Sequence, residues 1–175
     1  ALSLNRAAGS RVAEAGVIHS RGLLGLARGA YREAEELLTE AAHLYRDLGR
    51  APDRVAAMQN LARAKIAMGD IRGGLSVLEG AEALAGSSAL GASLQAHLTL
   101  TAAEVNLALN DYPEALTLFR SARNSYRDAN DVAGEAEAVE GEAFLSFLRE
   151  DFREARAGFD QALRLRRLQN PTDPR

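Results

Sequence analysis

Three histidines, His19, His43 and His97, are the side chains of this 175-residue chain best suited to proton transfer or to holding a transition metal. They fall in three separate stretches and share no spacing that would set two imidazoles on one helix face. Gly22, Gly25 and Gly29 superficially suggest a phosphate loop, but no Gly-Lys-Ser/Thr follows and no strand precedes them. Close packing of helices explains those glycines better. No acidic loop has calcium-ligand spacing, and no serine has His and Asp partners at a strand–turn. Carboxylate pairs abound, most of them on solvated helix faces. These residues predict no enzyme, no metal and no cofactor.

Charge and composition narrow the partner. Arg149, Arg153, Arg156, Arg164, Arg166 and Arg167 form the densest basic stretch, interleaved with Glu150, Asp151, Glu154 and Asp160. Spacings of three and four are those of helix-surface ion pairs, with a phosphate-binding patch as the alternative reading. A net charge of −3 argues against nucleic acid, which selects basic stripes. The chain has no cysteine, which fits a reducing compartment, and the expected location is the cytoplasm. No apolar run approaches the ~20 residues of a membrane span, and no signal peptide is visible. Aromatics are only 5%, so Ala, Leu and Gly must carry the core, which favours helices packed closely over a sheet.

The elements that would position these residues come from an internal repeat. Gly29-Ala30-Tyr31-Arg32-Glu33-Ala34 aligns with segments beginning at Gly69, Asn110 and Glu150, so the repeat starts are spaced 40, 41 and 40 apart. Gly or Asn at the first position suits the left-handed residue that ends a helix. Asp70, Asp111 and Asp151 are natural N-caps, and Asp111 with Glu114 and Asp151 with Glu154 have capping-box spacing. Pro113 falls in a first helical turn, where a missing N–H costs nothing. Small residues then recur at Ala34, Gly74, Ala115 and Ala155, large ones at Leu38, Leu78, Phe119 and Phe159, and alanines at positions 41, 81, 122 and 162. Small–large–small at i, i+4, i+7 marks one helix face.

This turn and the Ala-x3-Phe-x2-Ala helix after it resemble the tetratricopeptide repeat family over nearly the whole chain. The resemblance implies an all-α, right-handed α-α superhelix (a solenoid) of four helix–turn–helix repeats, at approximately residues 11–50, 51–86, 87–130 and 131–169. The family's usual Trp, Leu-Gly and Tyr of the first helix are approached only by Leu61-Ala62, and the period exceeds the usual 34 residues, as in the elongated repeats of bacterial regulatory and signalling proteins. HEAT-like repeats share the period but not the turn.

Helices are expected near 11–28, 31–48, 53–68, 71–85, 88–109, 112–129, 131–149 and 152–168, in one domain spanning 1–175, with Ser88 and Asp131 as further N-caps and a non-helical tail at 170–175. Leu4-Asn5-Arg6-Ala7-Ala8-Gly9 echoes the end of the first repeat forty positions later. It predicts that residues 1–9 are the end of a preceding repeat in a longer array or protein, a processed N-terminus with chance similarity being the alternative.

The family resemblance implies that first helices line a ligand groove. Carried over position by position, the candidates are His19 in the first repeat, with Leu23 and Leu26 beside it. The second repeat supplies Gln59, Asn60 and Arg63, the third His97, Thr101 and Glu104, and the fourth Glu137, Glu140, Phe144 and Phe147. Asn60 stands where many family members grip a peptide backbone; a helix-surface Asn is the bland alternative. Phe144 and Phe147 are the aromatics left unexplained by repeat positions, and suit an apolar anchor or a wider core. Glu104, Glu137 and Glu140 would favour a partner with a basic segment. The expected function is a protein–protein interaction scaffold that holds a peptide or protein segment. The alternatives are a sensory or regulatory domain of a larger bacterial regulator and a self-assembling structural module, and a homo-oligomer is an open alternative.

Overall fold

Six turns of the same design set the path of the chain. The computed structural model describes residues 2–86 and 91–169. These residues form α1 (Leu2–Ala27), α2 (Tyr31–Asp47), α3 (Ala51–Ala67), α4 (Ile71–Gly86), α5 (Ala92–Ala108), α6 (Tyr112–Asp128), α7 (Val132–Leu148) and α8 (Phe152–Gln169). Between α1 and α4, and again between α5 and α8, each connection is three residues long. Its middle residue is left-handed: Gly29, Gly49, Gly69, Asn110, Asn130 and Glu150 have φ between 55° and 84°. The next residue's N–H returns to the carbonyl five positions back, as from Ala30 to Gly25 (2.9 Å) and from Asp131 to Tyr126 (2.8 Å). This double-bonded helix end satisfies carbonyls that would otherwise be orphaned.

The expected caps form. Asp70, Asp111, Asp131 and Asp151 accept the backbone N–H three residues on, at 2.9, 3.3, 3.0 and 3.2 Å. The reciprocal half of the capping box is pre-empted at Asp111 and Asp151, because their own N–H groups already bond Asn106 and Ser146 carbonyls.

The chain divides into two compact units, Ala1–Leu90 with α1–α4 and Gly91–Arg175 with α5–α8, where the repeat pattern alone reads as one array. Within each unit consecutive helices pack as antiparallel neighbours. Second helices bury one stripe: Ala34, Leu38 and Ala41 in α2, Leu78 and Ala81 in α4, and Ala115, Phe119 and Ala122 in α6 are at most 2% exposed. The first helices α3, α5 and α7 are buried on more than one side. In α7 this takes in Gly134, Ala136, Ala138, Val139, Ala143 and Leu145. Contact here is set by backbone proximity. A Cβ on Gly22 would lie 2.7 Å from Leu38 Cγ, and Cβ atoms on Gly134 and Gly141 would enter the rings of Tyr126 and Phe119. Gly22 and Gly25 are therefore packing residues, and Gly29 is a turn. Ion pairs tie one repeat to the next: Lys65 with Glu35 (2.5 Å), Arg123 with Glu142 (3.1 Å) and Arg127 with Glu135 (3.0 Å).

The helix α1 runs unbroken from Leu2 through Gly9, one interior glycine costing a helix only about 1 kcal/mol. Three expectations need correction. Ala51 and Pro52 begin α3 and do not belong to the loop, since proline is tolerated in a first turn. Gly91, not Ser88, is the N-cap residue of α5; Ser88 and the tail 170–175 lie outside the described residues. Phe159 is not core like Phe119 but 42% exposed, for α8 has no following helix among the described residues. Among these residues no helix is long and apolar enough to cross a membrane.

Two measurements test this scheme. Glu150 carries a side chain at φ 64°, so Glu150→Gly should raise the unfolding free energy by about 0.5–1 kcal/mol, read from denaturant midpoints. Gly141→Ala forces a methyl against Phe119, and should lower it by about 1–3 kcal/mol in the same assay.

Candidate functional site

The candidate residues fall on first helices, and each unit presents its own set. In the first unit α1 and α3 meet through His19 and Asn60. The Asn60 amide nitrogen donates to the Ala56 carbonyl at 2.8 Å and lies 3.3 Å from His19 Nε2. Both are donor contacts of one NH2 group, so Nε2 must accept and the imidazole proton sits on Nδ1. The ring also meets Tyr45 edge-on, with centroids 5.9 Å apart. Both hydrogens of Asn60 are thus committed inside the protein, and the side chain can offer a ligand at most its oxygen. Arg63, one turn further along α3, is half-buried, and Leu23 on α1 is exposed. Gln59, expected to face a ligand, is 3% exposed and belongs to the interior.

In the second unit Thr101 is likewise fully buried, its hydroxyl donating to the His97 carbonyl at 3.0 Å. Gln59 shares the register of Glu140 and Thr101 that of Asn60, so burial at these positions is set by the neighbouring helices and not by the place in the repeat. His97 is half-buried, with Nδ1 on the Ser93 carbonyl at 2.7 Å and its ring edge-on to Tyr126 at 5.0 Å. Its imidazole serves the packing of α5 on α6. Glu104 and Glu137 are half-buried. Glu140 is met by Arg166 of α8 at 2.5 Å, so much of the negative charge expected there is already answered.

Phe144 and Phe147 behave differently. Both point to solvent, 42% and 50% exposed, and stack with centroids 6.4 Å apart. Phe152, the first residue of α8, joins Phe147 edge-on at 5.8 Å and is 60% exposed. Leu148, at 40%, extends the patch. The tight turn at 149–151 folds α8 back over the end of α7, which brings Phe152 alongside. In sequence Phe152 reads as a packing residue equivalent to Tyr31 and Tyr112, and the signal that could have found it was its position straight after that turn. The same first-helix register carries Arg63 and Ile66 in α3 and Glu104 and Leu107 in α5, so the aromatic patch is particular to the last repeat.

Burial lowers the pKa of His19 below its ordinary 6.5, only partly opposed by the Asp53 carboxylate. The folded state thus favours the neutral ring. Stability from this group is complete above 6.5 and is lost as pH falls through the lower folded value. Protonation also turns Nε2 into a donor facing the Asn60 amide. Urea midpoints should fall on acidification from neutral pH, and His19→Gln should flatten that fall relative to the parent chain.

No protein-family model matches the sequence, and no curated protein is similar to it at a significant level. Solved structures do match in fold. BtubC (BKLC) from P. vanneervenii superposes with a TM-score of 0.63 at 16% identity, over 92% of this chain and 66% of that one, so the chain spans just under two thirds of its length. TPR-like repeats of a Podosopora anserina kinesin light chain superpose at 0.55 with 15% identity, over 91% of this chain and 98% of theirs. A variant of the same repeats gives 0.54 at 15% identity, over 92% of this chain and 98% of its own. The fold is that of TPR-like helical repeats.

Proposed function

We propose that this chain is a protein-interaction scaffold, without catalytic activity, that holds an apolar-anchored segment of another protein against the first-helix face. The observation that carries the reading is the exposed aromatic patch of Phe144, Phe147 and Phe152, in which Phe144 stacks on Phe147 and Phe152 meets Phe147 edge-on, uncovered among the described residues. Large aromatics left in water cost free energy that a partner's apolar side chain recovers, and such residues dominate binding energy where they occur. Glu104 and Glu137, half-buried on the same unit's first helices, already have contacts within the protein, so a basic residue beside the apolar anchor would share them. The first unit, taken by itself, offers Arg63, Leu23 and the oxygen of Asn60. In this reading the protein works in the cytoplasm with no metal or cofactor.

Peptides selected on the immobilised chain from a random displayed library provide the test. Phe144→Ala and Phe147→Ala should each weaken binding about tenfold or more, by calorimetric titration. Both side chains are largely solvated, so the circular dichroism of the variants should match the parent. Selected peptides that bind the two variants as tightly as the parent would refute the aromatic anchor.

A further inference from the structure

Consecutive repeats dock by a fixed register. Ala138 and Leu145 of α7 share one cluster with Phe119, Ala122 and Tyr126 of α6. Likewise Ala57 of α3 packs with Ala41, Ala42 and Tyr45 of α2, and Ala64 with Ala34 and Leu38. Counted back from the left-handed turn residues 29, 69 and 150, positions 17, 57 and 138 are equivalent, as are 24, 64 and 145. The α3 and α7 members are at most 1% exposed, whereas Val17 and Leu24 of α1 are 61% and 47% exposed. Ala13 and Ser20, both exposed, stand where Gly134 and Gly141 lie against the rings of Tyr126 and Phe119; on α8 the Tyr126 position is held by Arg166, so only Ser20 would face a ring, that of Phe159. The helix α1 therefore bears a receiving face that no described residue covers.

The complementary face lies on α8. Phe159 and Leu163 occupy the positions of Leu38 and Ala42 in α2, which are 0% and 9% exposed; here they are 42% and 48%. The flanking charges say what fits. Between α6 and α7 the contact is bordered by Arg127 with Glu135 (3.0 Å) and by Glu142, which meets Arg123 at 3.1 Å, a position held by Leu163 on α8, and Arg120 at 3.9 Å. The equivalents on α8 and α1 are Arg167 with Glu14, and Asp160 with Arg21. The first pair keeps its signs. The second inverts both members together, so attraction survives across α8–α1 contact, which an inversion of one member alone would destroy. Within the chain Arg21 and Asp160 reach Glu33 and Arg156, each at 4.0 Å and well exposed, so both are held weakly.

We propose that a second copy of this chain docks head to tail, with α8 of one copy on α1 of the other in the register by which α6 meets α7. Phe159 then lies beside Ser20, its ring turned out of the place Phe119 takes because a Cβ at that position would enter it, with Leu163 near Val17, and the pairs Arg167–Glu14 and Asp160–Arg21 close the rim. The contact is heterologous, since each copy lends a different surface.

Sedimentation analysis of the chain at rising concentration should show self-association. Phe159→Glu should leave one chain monomeric, and Val17→Glu with Leu24→Glu another. Mixing the two should give a one-to-one heterodimer, because each retains the face the other has lost. Arg21→Asp or Asp160→Arg alone should weaken association about tenfold, and the two combined in one chain should restore it. Circular dichroism confirms that the variants fold, as every changed side chain is exposed. A parent chain monomeric at all concentrations overturns the proposal and leaves both faces to other partners. Association that survives Phe159→Glu, or variants that fail to pair on mixing, overturns it in favour of a contact made elsewhere.

Discussion

The structure depends on one packing event repeated along the chain: a large side chain of a second helix lodged against small residues of the first helices beside it. Phe119 lies over Gly141, Tyr126 over Gly134 and Leu38 against Gly22. Each such burial contributes about 2–3 kcal/mol, but only if the backbones approach closely enough to leave no void. That requirement explains the composition. A core with few aromatics is adequate when Ala and Gly bring the helices together and each large residue fills the space they leave. It also explains why helix ends are so uniform. A three-residue turn with one left-handed residue fixes where the next helix starts, and so fixes the register in which large meets small.

Polar interactions play a subordinate part. The ion pairs between repeats are partly exposed and of modest worth, but Glu142 is an exception in kind. Burial raises its pKa despite Arg123 and Arg120 nearby, so the carboxylate is held there at a cost. Its value lies in selecting a register, because a slipped pairing would strand a half-buried charge. His19 and His97 follow a related logic. Each commits a ring nitrogen to a polar group, Asn60 of α3 for His19 and the Ser93 carbonyl of its own helix for His97, and meets a tyrosine in a T-shaped contact. Imidazoles that look like chemistry in the sequence are adapters between packed helices in the fold.

Function would then sit where packing leaves off. Gln59 and Thr101, in mid-helix, are buried, whereas Phe144 and Phe147, in the last turns of α7, are exposed.

The sequence by itself determined the repeat, the helix count, the Asp caps and the small–large–small stripe. Each depends on local geometry or on a period of 3.6, which neighbouring residues express without help. It also determined that Gly22 and Gly25 serve packing, since no other phosphate-loop feature accompanies them. What only the tertiary structure decided is the fate of residues that depend on a neighbour far along the chain. Phe119 and Phe159 occupy the same repeat position, and one is core while the other meets solvent. Local sequence cannot distinguish them, because burial is conferred by the helix that follows. The meeting of Phe147 with Phe152, and of Glu140 with Arg166, likewise required the turn at 149–151 to lay α8 along α7.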